Sequence, residues 1–172
     1  RQLQFILTWQ SLLDTTDATV AKMVKNNMRV FLNHCGNDCA FYVRFYDGQP
    51  KLLYNDTNLC ATDEELKILE ENMIQYPQGF AVSKISHTFS EHREVIDIFG
   101  ADDVCSFAAV PFFNNGKLRS YLITYIKMKD NWHSSINRYM IDDDDLQMYR
   151  LLFMEFGHAI KRVESYAQIF DM

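Results

Sequence analysis

The stretch VCSFAAVPFFNNGKLRSYLITYIKM, residues 104–128, decides the fold. Two runs rich in β-branched and aromatic residues flank Asn114-Asn115-Gly116-Lys117. Asn-Gly between such runs is a strong hairpin signal, because the favoured two-residue turn needs positive φ at both central positions. Counting outward from that turn places Val110 opposite Tyr121, Ala108 opposite Ile123 and Ser106 opposite Tyr125. Alternate residues of a strand share a face, so Ser106, Ala108, Tyr121, Ile123 and Tyr125 are expected to line one surface.

Upstream, Leu3, Ile6, Leu7 and Leu13 recur at helical spacing, and residues 14–17 offer caps for a second helix carrying Val20, Met23, Val24, Met28 and Phe31. That helix is expected to close near residues 33–36, where Asn and Gly favour a left-handed end. At residues 40–46 the period becomes two, with Phe41, Val43 and Phe45 on one side and Tyr42, Arg44 and Tyr46 on the other. Asp47-Gly48 turns the chain into a returning strand over residues 51–55. Thr62 and Glu65 have capping-box spacing ahead of Leu66, Leu69, Met73 and Tyr76, and Pro77 stops that helix. A strand over residues 80–85 follows, and Thr88, Glu91, Val95, Ile96 and Phe99 permit one short helix. Beyond the hairpin and an irregular stretch, the four aspartates at 142–145 open a helix that runs to the end of the chain.

At 172 residues the chain has the size of one domain, and 48% hydrophobic content with few Gly and Pro gives it enough apolar surface for a core. A formal charge of -6 supplies no broad positive field, which weighs against nucleic acid as a partner. The purely apolar run 107–113 is about a third of the roughly 20 residues that a spanning helix requires, so no membrane insertion is expected. Four irregularly spaced cysteines fit reduced thiols and a cytoplasmic setting. The start at Arg1 reads as a fragment of a longer protein.

The order of elements is similar to that of the GAF family along nearly the whole chain. The resemblance is carried by Ala109-Val110-Pro111-Phe112, Asn115-Gly116-Lys117, Tyr121-Leu122-Ile123 and the acidic start of the last helix before Leu146. Ser120 stands where many relatives have glycine. The resemblance implies an α+β fold: a central antiparallel sheet of five to six strands, N- and C-terminal helices on one face, and a ligand pocket under shorter helices and loops on the other. It implies a single domain over residues 1–172, with 1–15 as an N-terminal linker helix and 160–172 as a C-terminal signalling helix leading to an output domain. It further implies a non-catalytic sensor of a small molecule whose identity the resemblance does not give.

The candidate ligand-binding residues are Tyr42, Arg44, Ser106, Ala108, Tyr121, Ile123 and Tyr125, which offer aromatic walls and a fixed cation, together with His87 and His92 in the segment that covers the pocket by resemblance. The bland reading stands beside this one: Ser106 and Ala108 make room for the tyrosines, Arg44 is solvated, and His87, His92 and Arg93 are loop polarity. His34, Cys35 and Cys39 lack the further ligands of a structural zinc site, and no metal is expected. The aspartates at 142–145 read as a helix cap rather than a magnesium site. His34-Cys35 reverses the cysteine-histidine pair of bilin-binding relatives, and the Asn-Lys-Phe-Asp-Glu set of cyclic-nucleotide-binding relatives is not recognisable. Some GAF-like proteins reduce methionine sulfoxide with pocket cysteines, but the spacing of Cys60 and Cys105 does not match theirs.

Along the last helix Tyr149, Phe153, Phe156, Ile160, Val163, Ala167 and Phe170 are spaced alternately four and three apart, a coiled-coil period. Residues from Phe153 to Phe170 in this series are expected to pack internally at first and then form the seam of a parallel homodimer; packing of the whole stripe on its own domain is the alternative. Asp171-Met172 is compatible with the first two residues of the Asp-x-Leu-Thr-Gly-Leu run that often opens a diguanylate cyclase (GGDEF) domain. A ligand-free dimerisation spacer is the remaining reading of the domain.

Overall fold

The computed structural model describes residues 2–13, 19–85, 91–100, 103–128 and 140–170. Helices α1 (Gln2–Leu13) and α2 (Val20–Cys35) precede strands β1 (Cys39–Tyr46) and β2 (Gln49–Asn55). Then come α3 (Asp63–Gln75), β3 (Phe80–Val82), α4 (Arg93–Ile98), β4 (Val104–Asn114), β5 (Lys117–Lys127) and α5 (Asp143–Phe170). The strands form one antiparallel sheet in the order β2-β1-β5-β4-β3, so the fold is α+β with a five-stranded sheet.

Local chemistry explains the ends of these elements. The α2 cap is Thr19, whose side chain accepts from the Lys22 N–H; residues 14–17, expected to offer caps, lie outside the described residues. Gly36 closes α2 at φ 74°, the left-handed conformation that a Cβ would oppose. The capping box at Thr62 and Glu65 is formed as expected. A reciprocal pair opens α5: Asp145 N–H donates to Asp142 Oδ1 at 2.9 Å, and Asp142 N–H donates to Asp145 Oδ2 at 3.0 Å. Hydrogen bonding from the Asp145 backbone is the main reason that the Asp142 carboxyl lies below its ordinary range. β3 is shorter than the expected 80–85, although Ile85 N–H still donates to the Cys105 carbonyl at 2.9 Å.

The hairpin leaves its Asn115-Gly116 turn in the expected register, with Asn114 opposite Lys117 and Phe113 opposite Leu118. The next pair is Phe112 and Ser120, so Arg119 is an extra, bulged residue on β5. Every pair from Phe112–Ser120 to Ser106–Ile126 is moved by one position, and a second irregularity between Val104 and Ser106 restores the counted register at Val104–Lys127. Val110 faces Leu122, Ala108 faces Thr124 and Phe107 faces Tyr125, which corrects the pairing counted from the turn alone. A one-residue slip sends side chains to opposite faces.

Two apolar cores follow, one on each side of the sheet. Ala40, Tyr42, Ala108, Val110, Leu122 and Ile126 meet Phe31 of α2 and Tyr149, Phe153 and Phe156 of α5. On the other side, Phe41, Val43, Phe107, Ala109, Tyr121, Ile123 and Tyr125 meet Leu69 and Met73 of α3 and Val95 and Ile96 of α4. Buried polar groups tie the first layer together: Asn37 Nδ2 donates to Thr124 Oγ1 at 3.0 Å and to the Tyr149 hydroxyl at 3.2 Å. Ser106 Oγ donates to the Val82 carbonyl and accepts from Ile141 N–H.

Over its first turns the heptad stripe of α5 packs internally, as expected, in this first core. Phe153, Phe156 and Ile160 are buried in the protomer's own core and Val163 is partly buried against it, while the Ala167 and Phe170 side chains lie outside the described residues. The sheet supplies enough apolar area to absorb a stripe whose period equally suits a partner helix. Gly157 lies in the same helix, and a Cβ there would stand 3.0 Å from the Phe112 ring, so its absence admits the end of β4 to the helix surface.

The N-terminal helix also belongs to the core. Trp9 is fully buried, with its ring 5.5 Å from those of Phe153 and Phe156, and Phe5 stands beside it. Replacing Trp9 with Ala is expected to cost about 3–5 kcal/mol through lost transfer energy and a residual cavity. Urea unfolding of the domain measures this; a loss of only a few tenths would identify α1 as a detachable linker.

Candidate functional site

The face of the sheet covered by α3 and α4 carries the candidate site. β5 brings Tyr121, Ile123 and Tyr125 to it, and the bulge at Arg119 is the reason that they point there. α4 contributes Phe99 at its C-terminal end, where the ring lies 5.3 Å from Phe41 and 5.9 Å from both Phe107 and Tyr125. These aromatics fill the centre of the face. At its edge a cleft of about 460 Å³ remains, lined by Phe99, Tyr125, Asp97, Asp103, Lys127 and Leu59 among others. An aromatic floor with a few charged groups at the rim is the usual composition of a small-molecule site, and the volume falls in the usual range.

Among the described residues, two polar atoms on this side are buried without a hydrogen-bond partner: the Tyr121 hydroxyl and His92 Nδ1. Burial, with a smaller contribution from Glu70, pushes the Tyr121 hydroxyl pKa up, so it stays a neutral donor. His92 opens α4 from a left-handed backbone at φ 61°, with its ring stacked on Phe80 at 3.7 Å and edge-on to Tyr76 at 4.6 Å. Non-glycine residues adopt that conformation at a cost, and such strain tends to collect at functional sites. Thus α4 has a strained entry at His92 and the cleft at its exit.

The sequence-derived set does not share one surface. Tyr42, Arg44, Ser106 and Ala108 lie on the opposite side of the sheet, under α2 and α5. Arg44 is therefore not a wall of the α4-side cleft: its Nη2 donates to Glu164 Oε1 of α5 at 3.0 Å, and its guanidinium lies over Tyr46 at 5.6 Å. The Tyr42 hydroxyl, close to Ser120 and Arg44, is buried without a hydrogen-bond partner, and burial raises its pKa. His87 lies outside the described residues. Phe99 and Lys127 entered the site unannounced, because a lone aromatic or lysine carries no spacing signal; only the fold of α4 over β5 reveals them.

The cysteines occupy separate environments. Cys35 is buried, with its thiol pushed up to about 12 by burial, and burial also raises Cys39. Cys60 is exposed on the β2–α3 connection, whereas Cys105 belongs to the core under α5. Among the described residues, no group of three His, Cys, Asp or Glu side chains could hold a metal, and no helix is long and apolar enough to cross a membrane.

Comparison of structures defines the class of this architecture. The chain superimposes on the GAF domain of a phosphoenolpyruvate-protein phosphotransferase from Coxiella burnetii with a TM-score of 0.64 at 10% identity, covering 96% of each chain. Against the photoproduct state of a GAF domain from Synechocystis sp. the TM-score is 0.57 at 14% identity, covering 88% of this chain and 99% of that one. The GAF domain of a two-component sensor histidine kinase from Bacillus halodurans gives 0.53 at 18% identity, covering 84% and 95%. In sequence, no family model matches the chain and no curated protein matches it. The chain has the GAF fold, and the likeness lies in three dimensions rather than in residue identity.

The His92 environment predicts a pH dependence. Burial lowers its pKa, against a smaller opposing effect from Glu91, so below about pH 6.5 the unfolded chain takes up a proton that the native site resists. Stability from this group is complete above that pH and is lost as pH falls toward the lowered native value. Urea midpoints measured at about pH 7 and about pH 5 are expected to differ more in the native sequence than in His92→Phe. Equal differences in the two proteins would show that His92 does not resist protonation.

Proposed function

We propose that this domain is a non-catalytic regulatory sensor that binds a polar small molecule in the cleft beside α4 and relays its occupancy through α5. The observation that carries the reading is the roughly 460 Å³ cleft lined by Phe99 and Tyr125, with Asp97, Asp103 and Lys127 at its rim, next to a helix whose N-cap, His92, is strained. Tyr121 and Ile123 lie on the same face, buried in its core. A ligand there would change the relative populations of α4 packings, provided that it binds them unequally.

Relay to an output domain follows α5, whose 28 residues span about 42 Å at 1.5 Å per residue. Cyclic-di-GMP synthesis by a following diguanylate cyclase domain is the output favoured by Asp171-Met172, which lies outside the described residues. A parallel homodimer is part of the proposal, with its seam at the apolar positions left outside the core: Leu3 and Leu7 on α1, and Leu151 and Met154 on α5, all exposed. A cytoplasmic setting is part of the proposal, in accord with four cysteines that are all free.

One observation favours a second reading, the ligand-free dimerisation spacer. The centre of the α4-side face is already filled by Phe41, Phe99, Phe107 and Tyr125. Native mass spectrometry of the purified domain separates the two. The sensor reading expects a small-molecule adduct that disappears in Leu59→Trp, a substitution that fills the cleft from its loop side. A stable, empty dimer with the native sequence would instead establish the spacer, and a monomer at all concentrations would remove the dimer from either reading.

A further inference from the structure

A second cleft, on the opposite side of the sheet from the site above, gathers positive charge. It lies where the β4–β5 hairpin meets the middle of α5, holds about 150 Å³, and is lined by Arg44, Arg119, His158, Lys161, Phe112 and Gly157 together with neutral neighbours. Among the described residues that line it there is no carboxylate. In a chain of formal charge -6, the convergence of two arginines, a lysine and a histidine runs against the overall balance.

The fold builds this arrangement. Arg44 of β1 pairs with Ser120 of β5, the residue immediately after the bulge, and the bulge places Arg119 in the cleft. Gly157 and the edge contact between Phe112 and His158, at 5.3 Å, bring α5 close enough for Lys161 to complete the ring of donors. Arg44 is the fixed element: its side chain is only 11% exposed, one nitrogen is held by Glu164, and Nε is buried with no hydrogen-bond partner. Arg44 lines the cleft with Arg119 and Lys161, and an anion is the acceptor that such convergent cationic donors suit best.

From this we infer that the cleft binds a tetrahedral oxyanion, phosphate-like in charge and shape, between the bulge of β5 and the face of α5. Its volume is about half of the roughly 300 Å³ at which pockets begin to take drug-sized ligands, so it admits one phosphoryl-sized group and not a nucleotide. The planar guanidinium groups of Arg44 and Arg119 match such an anion, and Lys161 adds a point charge from the helix. The bound anion takes donors from sheet and helix together, and so clamps α5 to the hairpin. This site is independent of the α4-side cleft and stands or falls separately from it.

Titration of the labelled domain with inorganic phosphate, followed by amide NMR against chloride at matched ionic strength, tests the site. Saturable shifts are expected at Arg119, Ser120 and residues 157–161, and affinity is expected to fall by roughly tenfold or more in Arg119→Gln/Lys161→Gln, which leaves the Arg44–Glu164 pair intact. Both positions reach solvent, and unchanged far-UV circular dichroism verifies the fold of the variant. Shifts that chloride reproduces, or an affinity in the double variant indistinguishable from that of the native sequence, would overturn the inference. Methyl phosphate distinguishes the two sources of such a group: binding equal to that of phosphate identifies a phosphoryl group carried on a larger molecule as admissible, and its exclusion identifies the free anion.

Discussion

The central strands β1, β5 and β4 are buried on both faces, and the rest of the molecule depends on the register between them. A sheet with one wet face tolerates a slipped strand by exposing some apolar side chains. Here a slip would exchange two full cores, sending Tyr121, Ile123 and Tyr125 under α5 and Leu122, Thr124 and Ile126 under α4. Asn37, Thr124 and Tyr149 hold the correct alternative with a hydrogen-bonded chain whose members find one another only in this register. Buried polar groups of this kind contribute modest net stability but penalise the wrong arrangement heavily.

The two faces then divide the work. Under α1, α2 and α5, large rings interlock edge to face, with Trp9, Phe31, Phe153 and Phe156 all but closed to solvent. That packing makes α5 a rigid part of the sheet over much of its length. Under α3 and α4 the cover is lighter, a helix of 13 residues and one of 6, and the strained His92 and the large cleft both lie on that side. Segments with short covering elements open at lower free energy than a core does, which is where a ligand-responsive element belongs.

Much of the fold was legible in the sequence because its signals are local. Asn115-Gly116 named its turn, Thr62 and Glu65 their capping box, and the alternation from Phe41 to Tyr46 its strand. The candidate site was less legible, and one residue accounts for much of the difference. A bulge at Arg119 has no compositional mark, yet it moves the pairs from Phe112–Ser120 to Ser106–Ile126 by one and divides a single imagined tyrosine wall between two faces. The heptad stripe leaves its cover open for a different reason: a period of 3.5 states that one side of α5 is apolar, and says nothing about whether a sheet or another helix covers it. Arg44, similarly, can be read as a cation in sequence, but its partner Glu164 lies 120 positions away.

The meeting of Gly157 with the Phe112 ring limits how α5 could carry motion. The ring sits in a notch one residue wide, with helix side chains on either side of it, so a lengthwise stroke of the helix would have to lift the ring over a side chain. Tilting or rolling about that point needs no such lift. The contact therefore resists sliding of α5 along its own axis more than it resists tilt or roll about Gly157.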